Sequence, residues 1–254
     1  MNIKLWGCNW NCKWCPTECC CGLKGVPPVG ISIDKLTALL LTLDRDATTM
    51  FMISGGEPLL QKEEVLKLIE SFKKNTNYSV MLITNGSLID ANFVEEANAL
   101  GLDRINISFR SLDDEWHKGY TGHSNRSTID ALKLVSEKFE GLTAVSLIPF
   151  SNVDASTFRD TCEFLHGINP EFAIKIYCPF CPDHEREESE KRRYELDEIA
   201  LQYFKRVDRS VYYSTQYRGI RYQIEEDERG YLALTKTDEW ERNKEARTSW
   251  LKTS

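Results

Sequence analysis

Strand and helix signals alternate along most of the 254 residues, which predicts an α/β protein with a parallel sheet and helices packed outside it. Two further observations point the same way. The connections between successive patterns are short. Every residue of unusual chemistry falls just after a strand pattern, and that is the edge at which parallel α/β folds bind ligands.

The elements follow in order. Residues 2–7 (NIKLWG) alternate as a strand, and a helix is expected over Asp34–Leu43. MFMIS (50–54) is a short apolar strand closed by Gly55-Gly56. Residues 62–74 carry Val65, Leu66, Leu68, Ile69 and Phe72 at helical spacing. SVMLI (79–83) is a strand that ends at the turn signal Asn85-Gly86. Asp90 caps a helix running to Leu100, and Gly101 stops it. RINISF (104–109), a helix over Ser127–Phe139, TAVSLI (143–148) ending at Pro149, a helix from Asp154 to His166, and FAIKIY (172–177) complete six βα units. Residues 183–207 form a charged helical segment, and SVYYSTQYRGIRYQIEE reads as a hairpin turning near Arg218-Gly219. A last helix closes the chain. Periodicity alone leaves two closures open, a doubly wound sheet or a partial barrel.

Length allows one large domain or two small ones. No stretch approaches ~20 uninterrupted apolar residues, so no transmembrane helix is expected. The start MNIKLWGCNW lacks the apolar run and cleavage site of a signal peptide, so a cytoplasmic protein with no membrane partner is expected. The net charge of −7 argues against a nucleic-acid partner held by bulk charge.

Nine cysteines are present, six of them between Cys8 and Cys21, and such clustering points to metal rather than to a secreted disulfide framework. In 8-CNWNCKWC-15, Cys8, Cys12 and Cys15 offer three thiolates in one loop. Cubane iron–sulfur clusters take Cys thiolates, and three would leave one iron open. A zinc site completed by Cys19, Cys20 or Cys21 is the alternative. In Gly55-Gly56-Glu57-Pro58 the glycines let backbone approach a ligand closely, and the carboxylate beside them can pair with an ammonium group. Ser108 and Arg110 are two apart, so both can face inward; the alternative for Arg110 is a surface ion pair. Asn85 can bond into the cavity or simply form its turn.

The CxxxCxxC spacing of Cys8, Cys12 and Cys15, with the aromatic Trp14 before the last cysteine, resembles the signature of radical S-adenosylmethionine enzymes. GGEP at 55–58 and ITNG at 83–86 resemble further motifs of that family. The resemblance spans residues 3–182. It implies a partial (β/α)6 TIM-like barrel as a core over residues 1–182, with residues 183–254 packed on it as a charged helix, hairpin and C-terminal helix. It also implies one [4Fe–4S] cluster on Cys8, Cys12 and Cys15, with S-adenosylmethionine on the open iron. Reductive cleavage would yield a 5′-deoxyadenosyl radical that takes hydrogen from a substrate. Gly55, Gly56 and Glu57 would meet the methionine ammonium and Trp14 the adenine. Ser108 and Arg110 would contact the ribose and carboxylate. An anaerobic setting and an electron donor such as flavodoxin or ferredoxin are implied as well.

The stretch 117-HKGYTGHSNRSTIDALKLV-135 looks most like the glycyl-radical-enzyme activase branch, whose members act on a protein partner. His117 and Tyr120 would have a substrate role or pack at a helix start. Two absences narrow the field. The spacing from Cys15 to Gly55 leaves no room for an eight-cysteine ferredoxin insert, and no cysteine follows Cys181. One feature departs from simple activases. Cys19, Cys20 and Cys21, with Cys178, Cys181 and His184 of CPFCPDH, could hold a second metal, act as redox thiols, or merely pack. Two other readings compete: the same chemistry on a small molecule or nucleic acid, and a zinc-stabilised binding module. The tail tyrosines Tyr212, Tyr213, Tyr217, Tyr222 and Tyr231 would lid the mouth, dock a partner or pack as a hairpin. The charges of 184–198 read as a solvated helix face.

Overall fold

A computed structural model describes residues 2–13, 15, 30–42, 50–148, 153–177 and 186–208, with backbone alone at 42, 186–190, 222–226 and 232–236. Trp14, Cys19, Cys20, Cys21, Pro149, Cys178, Cys181 and His184 lie outside these residues. So do Tyr212, Tyr213, Tyr217, Tyr231, the turn expected near Arg218-Gly219 and the expected C-terminal helix.

Seven strands form one parallel sheet in chain order: β1 (Asn2–Leu5), β2 (Met50–Gly55), β3 (Ser79–Thr84), β4 (Arg104–Phe109), β5 (Leu142–Leu147), β6 (Ala173–Ile176) and β7 (Arg206–Asp208). A parallel sheet in strict chain order with right-handed crossovers puts every connecting helix on the same side. The sheet therefore curls as an open barrel with β1 and β7 at its edges, as expected for six units, and β7 is a further strand. Two strands outside it, β8 (Tyr222–Glu226) and β9 (Leu232–Lys236), pair antiparallel.

The helices are α1 (Ile33–Thr42), α2 (Lys62–Asn75), α3 (Ala91–Ala99), α4 (Asp114–Thr121), α5 (Arg126–Lys138), α6 (Ala155–Ile168) and α7 (Arg186–Ala200). Helices α3, α4 and α6 start at short acidic side chains that accept otherwise orphaned N–H groups. Asp90 accepts from Phe93 N at 2.8 Å and Asp154 from Thr157 N at 2.8 Å. Asp113 Oδ1 accepts from the amides of Glu115 and Trp116, both at 3.0 Å. Helix α2 carries Glu63 and Glu64 in its first turn and Lys73 and Lys74 in its last, matching the helix dipole. Helix α4 stops at Gly122, whose φ of 82° is the left-handed cap that glycine adopts without strain.

The core lies between the sheet's outer face and the helices. Phe51, Ile53, Val80, Leu82, Ile105, Ile107, Val145, Ile174 and Ile176 are buried there with Leu68, Phe72, Phe93, Leu132 and Phe158 of the helices. Phe51 of β2 stacks on Phe72 of α2 at 4.1 Å, so one aromatic pair fixes that helix to its strand. Alternate residues face the other way. On the concave side Ser146 Oγ donates to Asn106 Oδ1 at 2.8 Å, and Ser54 Oγ donates to Asn2 Oδ1. The outer strand face is thus chiefly apolar, whereas the lumen face mixes these polar pairs with residues such as Met52, Met81 and Ala144.

Helix α7 differs from a wholly solvated face. Leu196, Ile199 and Ala200 join the core, and Arg193 and Asp197 are buried at 1% and 0% exposure, with Nη2 and Oδ2 3.4 Å apart. Pairing one turn apart neutralises both charges and allows their burial. Among the described residues no helix is long and apolar enough to cross a membrane.

Candidate active site

The carboxyl ends of β1 to β4 converge. The loop after β1 carries Cys8, Cys12 and Cys15, each half-buried and none in a disulfide. Burial pushes the Cys8 thiol up to about 12, with smaller upward effects from Glu57, Cys12 and Cys15. Burial also raises Cys12, and the Arg110 charge acts against it. Thiols so placed ionise when a cation takes them, and metal binding then releases their protons. Among the described residues no three His, Cys, Asp or Glu side chains close on a single ion.

The loop is held by backbone contacts from two directions. Asn11 N donates to Thr121 O and Lys13 N to Tyr120 O, both at 2.9 Å, so the last carbonyls of α4 anchor the loop between its cysteines. From the other side Glu57 N donates to Gly7 O at 2.8 Å and Gly56 N to Leu5 O at 3.2 Å. Gln61 Nε2 donates to Trp6 O at 2.9 Å.

Gly55 ends β2 with φ +142°, and a Cβ there would sit 2.1 Å from Leu5 O. Only glycine lets β1 and the Gly-Gly-Glu turn lie this close. Glu57 follows with no exposure. Its Oε1 accepts from Thr84 Oγ1 at 2.7 Å and Leu59 N at 3.0 Å, and its Oε2 accepts from Asn85 N at 2.7 Å. Burial raises its pKa, and these three donors oppose the rise. With no exposure, the carboxylate presents no oxygen to a ligand, and its acceptors serve the turn itself. Glu57 thus braces β2 against β3.

Asn85 serves its turn and more. Its Oδ1 accepts from Ser87 N and Ser87 Oγ, and its Nδ2 donates to Asn9 Oδ1 at 2.9 Å. Asn9 Nδ2 donates to Ser87 Oγ at 2.9 Å. The third-strand turn is therefore tied to the cysteine loop. Ser108 pairs with Ser146 in the β4–β5 ladder, on the lumen face with Asn106. Arg110 is half-buried just past β4, with Nη1 buried and without a hydrogen-bond partner.

His117 and Tyr120 are buried in α4. His117 Nδ1 lies 2.7 Å from the His123 carbonyl, which makes Nδ1 the donor and fixes the neutral tautomer. Burial lowers its pKa. Its ring meets Trp10 edge-on at 5.0 Å. Trp10 Nε1, Arg110 Nη1 and His117 Nε2 are all buried without a hydrogen-bond partner. Three free, half-exposed thiols in one loop are a donor set that fits an iron–sulfur cluster.

Sequence reasoning missed Asn9, Trp10 and helix α4 as supports of the loop. The signal for α4 was present: Asp113 as cap, acids in the first turn and Gly122 as stop. The Cys8, Cys12, Cys15, Gly55, Glu57 and Asn85 positions come together here, whereas Trp14 and the second cysteine group lie outside the described residues.

Comparison with known proteins agrees with this geometry. A protein of Methanocaldococcus jannaschii assigned as a glycyl-radical enzyme activating enzyme is 25% identical over 222 residues, covering 83% of this chain and 80% of that protein. An assigned GTP 3′,8-cyclase of Methanosarcina mazei is 32% identical over 180 residues, covering 66% of this chain but only 51% of the cyclase. Streptococcus suis SuiB, solved bound to S-adenosylmethionine, shares the fold with a TM-score of 0.64 at 13% identity. That match covers 87% of this chain and 52% of SuiB. The family model for the radical SAM superfamily matches residues 5–165. The chain belongs to the radical SAM superfamily, and its cofactors are a [4Fe–4S] cluster and S-adenosylmethionine.

Proposed function

We propose that this enzyme takes a hydrogen atom from a partner protein, in the manner of glycyl-radical enzyme activation. The observation that carries the reading is extent. The relative assigned as an activating enzyme corresponds to this chain over about four fifths of both lengths, while the cyclase runs well beyond the match.

When bound, the cluster and S-adenosylmethionine supply one-electron reduction and a carbon radical able to remove hydrogen. The chain's own residues do the rest. Cys8, Cys12 and Cys15 hold iron. Gly55 and Gly56 bring backbone to the methionine ammonium, and Glu57 fixes that turn from within. Arg110 suits a carboxylate by its two-pronged geometry, and Ser108 suits a ribose hydroxyl on the same lumen face. Trp14 takes the adenine. A flavodoxin or ferredoxin delivers the electron. Cys19, Cys20, Cys21, Cys178 and Cys181 are a candidate second metal or redox group.

The test uses anaerobically reconstituted full-length protein, a reductant and S-adenosylmethionine. Extract from cells grown in heavy water is split by ultrafiltration into protein and small-molecule fractions. Deuterated 5′-deoxyadenosine formed only with the protein fraction supports the reading. Deuterium from the small-molecule fraction instead favours a second reading, a substrate of cofactor biosynthesis, to which the higher identity of the cyclase match lends weight.

A further inference from the structure

Asn9 follows Cys8 in the loop after β1, and both halves of its side-chain amide engage one distant turn. Its Oδ1 accepts from Asn85 Nδ2 and its Nδ2 donates to Ser87 Oγ, both at 2.9 Å. That turn is itself firmly held. Asn85 is buried, and its Oδ1 accepts from Ser87 N at 2.9 Å and Ser87 Oγ at 2.7 Å. Its carbonyl accepts from Thr128 Oγ1 at 3.0 Å, and its N–H donates to Glu57 Oε2 at 2.7 Å. Glu57 N in turn donates to the carbonyl of Gly7, the residue before Cys8. The contacts close a circuit. It runs along the chain from Gly7 through Cys8 to Asn9, crosses to Asn85, passes to Glu57 and returns to Gly7. Cys8 is thus held through both its neighbours, one on the Gly-Gly-Glu turn and the other on the turn after β3. Cys12 is held differently, by main-chain N–H groups of Asn11 and Lys13 on carbonyls of α4, contacts that do not depend on side-chain type. Asn9 does depend on its type, because an amide offers an acceptor and a donor side by side.

We infer that Asn9 is a positioning residue for S-adenosylmethionine. By tying Cys8 to the Asn85–Ser87 turn, it fixes one cluster ligand relative to the Gly55–Glu57 turn. A cofactor that rests on that turn and also reaches the open iron needs the two supports at a constant separation. A loop free to drift would have to be ordered on binding, and that ordering weakens affinity. Asn85 then acts through Asn9 and Glu57 rather than by touching the cofactor. Polar networks of this kind act as units, and double-mutant cycles apportion them. The inference rests on the family assignment and on the place proposed for S-adenosylmethionine, not on the choice of substrate.

The experiment compares full-length wild type, Asn9→Leu, Ser87→Ala and the double variant, all reconstituted without oxygen. Leucine is close to asparagine in size and removes both contacts, while Ser87→Ala removes one of them from the far side. Iron is counted, and S-adenosylmethionine affinity is measured by equilibrium dialysis on the oxidised protein, where no turnover occurs. The expected result is equal iron with the dissociation constant of Asn9→Leu raised about tenfold, or about 1.4 kcal/mol. Ser87→Ala should show a smaller rise, and the double variant none beyond Asn9→Leu alone. The change that S-adenosylmethionine produces in the paramagnetic resonance spectrum of the reduced cluster should likewise need about tenfold more of it in Asn9→Leu. A merely structural brace would lower the urea midpoint and leave affinity and spectrum unchanged, and that outcome overturns the inference. Additive effects in the double variant overturn it too. If Asn9→Leu takes up no iron, Ser87→Ala decides. A raised dissociation constant at equal iron supports the inference, and an unchanged constant or lost iron overturns it. Wild type that holds iron but does not bind S-adenosylmethionine overturns the proposed cofactor site as well.

Discussion

Glu57 illustrates what a single residue contributes to this site. Its carboxylate collects donors from Leu59, Thr84 and Asn85 with no exposure to solvent. Glu57→Ala would strand all three, and at about 1–3 kcal/mol for each unsatisfied donor the expected loss is about 3 kcal/mol or more. Urea unfolding of the metal-free protein checks this; a loss under about 1 kcal/mol would mean that water replaces the carboxylate. His117 gives a prediction in pH. Burial holds its folded pKa below the ordinary 6.5; the hydrogen bond to the His123 carbonyl and the Asp114 charge oppose this, and the Arg110 and His123 charges add to it. The unfolded chain therefore binds more protons in that window, and stability rises with pH. The contribution is complete above 6.5 and is lost as pH falls through the folded value. In the metal-free protein the urea midpoint should fall on acidification below neutrality. His117→Asn, which keeps a donor for the His123 carbonyl but does not titrate, should reduce that slope. An identical slope would assign the pH dependence elsewhere. The role of Glu57 as a brace was not legible in the sequence, because a carboxylate beside two glycines suggests an ammonium ligand as readily as a strap between strands.

At the scale of elements, the first two strands and the short helix α4 determine where the cysteine loop lies. Gly55→Ala would put a Cβ 2.1 Å from Leu5 O at a backbone angle that side chains avoid. The clash is with backbone and cannot be relieved by a rotamer change. Loss of S-adenosylmethionine binding together with lowered stability is expected, measured by calorimetry and urea unfolding; retained binding would show that β1 can shift. Asp113→Ala removes the cap of α4, at a cost of about 1 kcal/mol. Because the Tyr120 and Thr121 carbonyls of that helix anchor Asn11 and Lys13, the same variant should release iron to a chelator faster than wild type. Unchanged release would mean that the cysteine loop does not depend on α4. Strand positions and the helix starts at Asp90 and Asp154 were readable from the chain, since alternation and an acidic residue before an apolar run are local signals. Helix α4 escaped because it spans eight residues and contains Gly119, so its periodicity is too brief to stand out.

At the scale of the whole molecule, the sheet runs past the sixth unit. Helix α7 buries Leu196, Ile199 and Ala200 in the common core, and β7 pairs with β6 from Ala173 to Lys175. A chain ending at Pro182 would expose the apolar surface of α6 and leave β6 as a bare edge. Such a truncation should be insoluble or dimeric, whereas one ending after Asp208 should stay folded; sedimentation and circular dichroism distinguish the two. A folded, monomeric fragment ending at 182 would show that the first six units suffice. Triple replacement of Cys8, Cys12 and Cys15 by Ala tests the metal inventory. Iron falling from about four per chain to none fits one open cluster, and iron that persists places a second site on the remaining cysteines.

The sequence by itself determined the class of fold, the three-thiolate loop and the glycine turn beside it, because each is written in spacing along a few neighbouring residues. The tertiary structure alone decided how these parts lock together. Asn85 reaches Asn9 across 76 residues of chain, and Glu57 meets Asn85 across 28. Helix α4 brings its carbonyls to the loop from more than a hundred residues away. Periodicity tells which face a residue occupies, but it does not tell which distant residue will stand opposite once the sheet has curled.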